Sequence, residues 1–109
     1  MIFKNQTETI SVPLDDILYL STVPGMRNAL LLVTIFGESF IDGKIKDIKA
    51  KLDAAHFYTE LKSHVIHLRK VKGIDSARGL IQFEGENTLE LNTPSIRKVL
   101  QHFKEGGNR

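Results

Sequence analysis

The sequence predicts a mainly β fold: a small antiparallel β-sheet domain with one or two short helices. Apolar residues alternate or run together in short segments, most clearly over residues 17–20 and 29–35, as they do in strands. Glycine and proline separate these segments, as at Pro24-Gly25 and Gly37, and both residue types favour turns. Helical spacing of apolar residues occurs in only two places, so helix is expected to be the minor component.

The first half of the chain is expected to form a meander of antiparallel strands. Its predicted elements are an alternating strand at residues 8–13, a tight turn at residues 14–16, a buried run at residues 17–20, a central strand at residues 29–35 and a returning strand at residues 39–42.

The two helices are predicted at residues 44–53 and 94–103. In the first, Ile45, Ile48 and Leu52 recur at helical spacing between lysines that we expect to form a solvated face. In the second, Thr93 is expected to cap the helix and Pro94 to occupy its first position. Between the helices, strands are expected around residues 74, 80–83 and 88–91, joined by turns at residues 77–79 and 85–87.

Charge is distributed unevenly along the 109 residues. Residues 1–55 carry six Lys/Arg and seven Asp/Glu, whereas residues 56–109 carry nine Lys/Arg, six Asp/Glu and all four histidines. The cationic second half is either an ordinary solvated surface or a face that binds a polyanion. The absence of cysteine excludes disulfides, thiolate chemistry and zinc–cysteine sites. The lack of cysteine also fits a reducing cytoplasm, and no segment has the roughly 18 apolar residues of a membrane span, so a cytoplasmic protein without membrane contact is expected.

Enzyme signatures are sparse. The adjacent carboxylates Asp15 and Asp16 lie in a predicted turn, where they are more often turn formers than an acid–base pair. His64 and His67 are three residues apart, which in an extended segment directs them to opposite faces. We therefore expect a protein that is not an enzyme and that uses no metal or other cofactor.

Nucleic-acid binding suits the residues better, although the residues alone establish only a small, β-rich binding module. An RNA-binding sheet usually displays aromatic side chains for base stacking, and few are present here. A helix-turn-helix needs two adjacent helices, whereas strands separate the two predicted here. If the chain binds DNA, loops must make the contacts. A non-enzymatic protein-interaction module with a basic face is the alternative.

Four blocks of sequence, in order, resemble the LytTR family of bacterial DNA-binding domains. ISVPLDDILYL at residues 10–20 is similar to the family's opening, and GKIKDI at residues 43–48 is similar to its helix. FYTELKSHVIHL at residues 57–68 and the segment from residue 80 to 103 resemble its later blocks. Ser21, Leu61 and His67 depart from residues that are frequent in the family.

The resemblance implies a LytTR-like DNA-binding domain at residues 1–105, elongated in shape, followed by a flexible tail at residues 106–109. It implies binding to double-stranded DNA, with loops entering successive major grooves and dimers on direct repeats. It also implies the output half of a two-component response regulator, whose N-terminal receiver domain would be absent from this chain.

By position, the resemblance places three loops against DNA, at residues 24–28, 59–63 and 92–98. Arginine and lysine can donate to guanine, and asparagine pairs with adenine, while serine hydroxyls can hold phosphate oxygens. The expected DNA-binding residues, including two from the basic cluster at residues 69–72, are Arg27, Asn28, Lys62, Ser63, Arg69, Lys70, Ser95, Arg97 and Lys98.

Overall fold

A computed structural model describes residues 1–106 and divides the chain into two compact units, Met1–His67 and Leu68–Arg109. Three antiparallel sheets and two helices confirm the predicted mainly β class. The tail that was expected at residues 106–109 lies, from residue 107 onward, outside the described residues.

Unit 1 contains a hairpin and a five-stranded sheet. The hairpin pairs β1 (Ile2–Lys4) with β2 (Thr9–Ser11). The sheet has the order β5-β4-β3-β7-β6. Its strands are β3 (Ile17–Thr22), β4 (Ala29–Thr34), β5 (Gly37–Asp42), β6 (Phe57–Tyr58) and β7 (His64–His67).

The central strand of this sheet is β3, not the long apolar run that was expected to be central. Four consecutive residues of β3 (residues 17–20) are buried, so both faces of the strand are covered. In β4, by contrast, Leu30 and Leu32 are buried while Leu31 between them is only half-buried. Strand β4 therefore lies one place away from the centre, between β3 and the edge strand β5.

The core of unit 1 combines side chains of β1, of the five-stranded sheet and of the helix that follows β5. In β4, the core members Leu30 and Leu32 alternate, as the period of two requires. The buried members of this core are Phe3, Ile17, Leu20, Leu30, Leu32, Ile41, Ile48, Phe57 and Val65.

The start of β3 defines one end of the sheet. The expected tight turn before it is a 3-10 turn, Leu14–Asp16. The Asp16 carbonyl accepts a 3.0 Å hydrogen bond from the Ile35 amide in the β4–β5 turn, where Phe36 is 82% exposed. At the open end of the hairpin, Met1 and Val12 exchange backbone hydrogen bonds, and the chain continues from Val12 through Pro13 into the 3-10 turn.

Helix α1 spans Ile45–Lys49 and is shorter than the roughly ten residues that the periodicity predicts. Lys44 has an extended backbone, so the helix begins only at Ile45. Past the helix, the Asp53 carboxylate accepts a 2.8 Å hydrogen bond from the Ala55 amide and stabilises a non-helical turn. Only Ile48 is fully buried, so packing does not favour a longer helix.

His67 is a packed core residue. Its Nδ1 lies 2.8 Å from the carbonyl oxygen of Ile17. Because a carbonyl oxygen only accepts, Nδ1 is the protonated nitrogen in this contact. The ring also stacks on Phe57, with centroids 4.4 Å apart.

Among residues 1–106, no group of three or more His, Asp or Glu side chains is arranged to hold a metal ion.

Unit 2 is a three-stranded sheet of order β10-β9-β8, followed by helix α2. Its elements are β8 (Val71–Asp75), β9 (Leu80–Phe83), β10 (Thr88–Glu90) and α2 (Thr93–Gly106). Its buried side chains are Ile81, Phe83, Leu89, Leu91, Ile96 and Val99.

Helix α2 is longer than predicted, and its cap is one residue earlier. The side-chain oxygen of Asn92 accepts a 2.9 Å hydrogen bond from the Ser95 amide, and the Asn92 carbonyl accepts the first helical bond, from Ile96. Asn92 is therefore the N-cap, and Thr93, which was expected to have that role, is the first helical residue. At the other end the helix continues past residue 103 to Gly106.

Candidate functional site

Two of the three predicted loops lie side by side at one end of the unit 1 sheet. Strands β3 and β7 are antiparallel, with Ser21 opposite His64. Consequently β3 ends where β7 begins, and the Thr22 amide donates a 2.9 Å hydrogen bond to the Ser63 carbonyl. We call residues 23–28 and 59–63 together the loop end of unit 1. It is opposite the end at which β3 starts.

The first loop is a tight connection that exposes two polar side chains. Gly25 has φ of +81°, a conformation that favours glycine, and the Met26 amide donates to the Val23 carbonyl at 3.0 Å. Arg27 and Asn28 follow, both exposed. The Asn28 carbonyl accepts a 2.8 Å hydrogen bond from the Gly43 amide, so the backbone is held while both side chains extend outward.

The second loop is held in place by Leu61, through its side chain and its backbone carbonyl. The side chain of Leu61 is only 3% exposed, and its carbonyl oxygen accepts a hydrogen bond from the Lys49 ammonium on α1. Lys62 is exposed, and Ser63 is half-buried. Leu61, one of the positions at which the sequence departs from the resemblance noted above, anchors the loop in the interior.

The loop end has two cationic side chains, Arg27 and Lys62, and one acidic side chain, Glu60. Within residues 1–106, neither the Arg27 guanidinium nor the Lys62 ammonium has a carboxylate within 4.0 Å. Glu60 is exposed in the second loop. Tyr58 has a raised pKa because burial disfavours its charged form, and the negative charge of Glu60 adds to the shift.

Two exposed lysines near the loop end were not singled out by the sequence. Lys44 and Lys46 follow Gly43, whose amide binds the first loop, yet the helical pattern identified them only as part of a solvated face. Nothing local in the sequence distinguishes them from Lys51. Only the pairing of β4 with β5, which places Asp42 opposite Ala29, brings this segment to the loop end.

His64, the first residue of β7, is half-buried next to Ser63. Burial lowers its pKa because the interior disfavours the charged imidazolium. At neutral pH the ring is therefore mainly neutral, and it adds no full positive charge to the loop end.

A cleft of about 560 Å³ opens beside the first loop. It is mainly apolar and includes the exposed side chains of Met26 and Phe40. Its lining contains an acidic residue, Asp42, and no lysine or arginine, so its chemistry does not suit a phosphate. The lining residues are Asn5, Gln6, Thr7, Met26, Ala29, Ser39, Phe40, Ile41 and Asp42.

In unit 2, the predicted residues of the third loop lie on the first turns of α2. Arg97 and Lys98 are exposed between the buried Ile96 and Val99, while Ser95 is half-buried. The Leu91 amide donates to the Gly79 carbonyl at 2.8 Å. This bond places the start of α2 at the same end of the sheet as the β8–β9 turn.

Arg78, in that turn, is a third cation that sequence reasoning missed, after Lys44 and Lys46. Its side chain is exposed and its Nε lies 3.7 Å from the Asp75 carboxylate. The sequence had identified residues 77–79 only as a turn. A basic residue at a hairpin tip is the one local signal that could have drawn attention to it.

Arg69 and Lys70 are separated from α2 within unit 2. They occupy a 3-10 turn, Leu68–Lys70, immediately before β8. Val71 pairs with Phe83 and Leu80 pairs with Glu90, so this turn and the start of α2 lie at opposite ends of the sheet. The Lys70 ammonium lies 3.8 Å from the Glu84 carboxylate. The nine predicted residues thus form three groups, two of them in unit 2.

Comparisons with known proteins agree with this architecture. A family model described as the LytTr DNA-binding domain matches residues 7–105. A solved structure from Bacillus cereus, described as the LytTr DNA-binding domain of a methyl-accepting/DNA response regulator, superimposes with a TM-score of 0.69 at 15% identity, covering 92% of this chain and 94% of that one. A search of curated proteins gives no significant match. No helix within residues 1–106 has the length and apolar character to cross a membrane. With nearly its whole length matched by the family model, the chain belongs to the LytTR family of DNA-binding domains.

Proposed function

We propose that this domain binds specific sequences in double-stranded DNA as the output domain of a response-regulator type of transcription factor. The observation that carries the proposal is the loop end of unit 1, where two loops with exposed cations are joined by the Thr22–Ser63 hydrogen bond. The family membership supports DNA as the ligand.

The side chains of the loop end divide between two tasks. Arg27 can donate two hydrogen bonds to a guanine edge, and Asn28 can pair in the same way with adenine. Lys62 and the Ser63 hydroxyl suit phosphate oxygens, which position a protein on the duplex but carry little sequence information. We therefore assign base reading to the first loop and phosphate binding to the second.

Unit 2 contributes phosphate and base contacts of its own from the start of α2. The exposed Arg97 and Lys98 lie in its first turns with Ser95, whose amide is already bound by Asn92. Arg69 and Lys70 lie at the far end of the same sheet. We propose that these two residues bind phosphates at the edge of the footprint, outside the grooves that are read.

Two copies are proposed to bind one direct-repeat site, with an N-terminal receiver domain supplying the signal in the full regulator. The direct repeat predicts two domains on one face of DNA, with half-sites about one helical turn apart. Isothermal titration or native mass spectrometry with one and with two half-sites measures the stoichiometry, which should rise from one domain to two.

The proposal is tested by selection from a pool of random duplexes, followed by titration of the enriched sequence at several salt concentrations. A repeated motif should be enriched, and the logarithm of affinity should fall linearly with the logarithm of salt, with a slope of about −0.9 per phosphate neutralised. The Lys51→Ala variant, which removes an exposed charge outside the proposed contact set, should select the same motif.

Failure to enrich any sequence over competitor DNA at modest salt would overturn the proposal. The basic surface would then be better explained by an acidic protein partner. Binding without sequence preference would retain the phosphate contacts but contradict the base-reading role of Arg27 and Asn28.

A further inference from the structure

We propose that Lys49 is a positioning residue, which holds the second loop in the conformation that presents Lys62 and Ser63 to DNA while making no contact with DNA itself. This inference rests on the proposed function, since it assigns a role within the same loop end.

The first observation is where the Lys49 side chain ends. Lysine side chains usually extend into solvent, yet Lys49 is half-buried and its ammonium donates to the backbone carbonyl of Leu61. Within residues 1–106 it has no carboxylate within 4.0 Å. A hydrogen bond from an ammonium is charge-assisted and stronger than one between neutral groups. The carbonyl of the loop is therefore its main structural partner.

The second observation is that the anchor itself is fixed. Lys49 follows Ile48, which is buried in the core of unit 1, and α1 packs against β3 and β7. The ammonium therefore connects the loop to an element that the core holds in place.

The third observation is the position of Lys62 between two held residues. Before it, Leu61 is fixed by its buried side chain and by Lys49. After it, the Ser63 carbonyl accepts the hydrogen bond from Thr22. The backbone on both sides of Lys62 is therefore ordered before any ligand binds. A loop that is already ordered in the free protein loses less conformational entropy when it binds. This preorganisation raises the affinity without a new contact.

The test compares Lys49→Met, which keeps the length of the side chain and removes the ammonium, with Lys49→Arg, which keeps a charged donor. Lys51→Met is the matched control, because it removes an exposed charge just after the same helix. Two measurements are made on the full chain: hydrogen exchange of the Thr22 amide, which donates to the Ser63 carbonyl at the end of the second loop, without DNA, and affinity for the selected duplex as a function of salt.

Lys49→Met should exchange its Thr22 amide faster and bind about three- to tenfold more weakly, the loss expected for ordering one or two flexible groups on binding. Its salt slope should equal that of the wild type, because the number of neutralised phosphates is unchanged. Lys49→Arg should restore slow exchange and affinity, and Lys51→Met should change neither.

A salt slope smaller by about 0.9 in Lys49→Met would show that Lys49 neutralises a phosphate, and would overturn the positioning role. Unchanged exchange of the Thr22 amide would also overturn it, whether or not the domain binds DNA. Because the exchange measurement is made without DNA, it tests the role of Lys49 independently of the proposed function. If Lys49→Met does not fold, Lys49→Gln, which is polar but too short to reach the carbonyl, undergoes the same measurements with the same criteria.

Discussion

The amide of Thr22 donates a 2.9 Å hydrogen bond to the carbonyl of Ser63, although 41 positions along the chain separate the two residues. Thr22 is the last residue of β3, and Ser63 immediately precedes β7. The bond continues the pairing of the two strands by one step beyond Ser21 and His64. Because of this hydrogen bond, the two loops are adjacent at the end of the sheet although they are distant in sequence. Substitutions in either loop should therefore affect binding of the same ligand.

Arg27→Ala and Lys62→Ala are expected to weaken DNA binding in different ways. Loss of a base-reading arginine should cost about 1–3 kcal/mol and relax the preference at one base pair. Loss of a phosphate-binding lysine should weaken all sequences alike and reduce the salt slope by about one. Titrations of the selected duplex and its single-base variants measure both effects. The same salt slope change for both variants would contradict the division between the two loops.

Leu32→Ala should destabilise the domain more than Leu31→Ala. Leu32 is 1% exposed in the core of unit 1, so its truncation removes buried surface and leaves a cavity, at a cost of about 2–5 kcal/mol. Leu31 is half-buried on the other face of β4, so the same truncation removes less buried surface. Urea denaturation followed by circular dichroism measures both. Equal destabilisation would mean that the two faces of β4 are equally packed.

Gly79→Ala should destabilise the fold by more than its backbone conformation alone explains. Gly79 has φ of +69°, and a Cβ there would lie 2.6 Å from the Leu91 carbonyl oxygen. Gly25 has φ of +81° and open space around the corresponding position. Gly25→Ala should therefore show only the conformational cost of about 1–2 kcal/mol, whereas Gly79→Ala adds about 1–3 kcal/mol for the steric clash. Thermal melts of the two variants make the comparison, and similar melting temperatures would contradict it.

Asn92→Ala should shorten or destabilise α2, because the Ser95 amide loses its side-chain acceptor. Loss of an N-cap costs about 1 kcal/mol. Asn92→Asp is the matched variant: it retains the acceptor and places a negative charge near the helix N-terminus, where it is favourable. Denaturation at neutral pH should rank wild type and Asn92→Asp together, above Asn92→Ala. If Asn92→Ala were as stable as the wild type, the capping bond would contribute nothing.

Stability should fall as the pH is lowered below about 6.5, the ordinary pKa of histidine. Burial lowers the pKa of His64 in the folded state, so the unfolded chain binds a proton more readily there. The contribution is present above the unfolded pKa and is lost as the pH falls through the folded pKa. Replacing His64 with glutamine should make the pH dependence shallower between pH 7 and pH 5. An identical pH profile for the variant would assign the dependence to other groups.

The sequence predicts strands and helices well where the pattern is local. The buried run at residues 17–20 becomes β3, and the stripe that includes Ile96 and Val99 becomes α2. The end of α1 was predicted less well, because Leu52 continues the helical spacing although Asp53 caps a turn just after it. The N-cap of α2 shifted by one residue because Asn92 and Thr93 both have side chains that suit the role.

The arrangement of the candidate site could not be predicted from local patterns. Residues 24–28 and 59–63 were identified as separate loops. They are adjacent because β3 pairs with β7, a strand that is distant in sequence, as well as with β4, which follows it in the chain. The position of Lys44 near the loop end depends on the pairing of β4 with β5, and that of the Lys49 ammonium on its hydrogen bond to Leu61. The central position of β3 was missed because β4 has the longer apolar run, whereas a strand's place in a sheet depends on how many strands lie on each side of it, and β7 and β6 lie beyond β3.

The open end of the β1–β2 hairpin places Met1 beside Val12, on the side of unit 1 where β3 begins. Six residues of β3 separate that side from the loop end, a distance of about 20 Å at the rise of an extended strand. Any group that is joined ahead of Met1 is therefore attached on the side of unit 1 that is opposite the loop end. A biotin or a fluorescent protein attached there would hold the domain on a surface with Arg27 and Lys62 directed toward solution, which makes the N-terminus the natural attachment point for single-molecule work on a duplex.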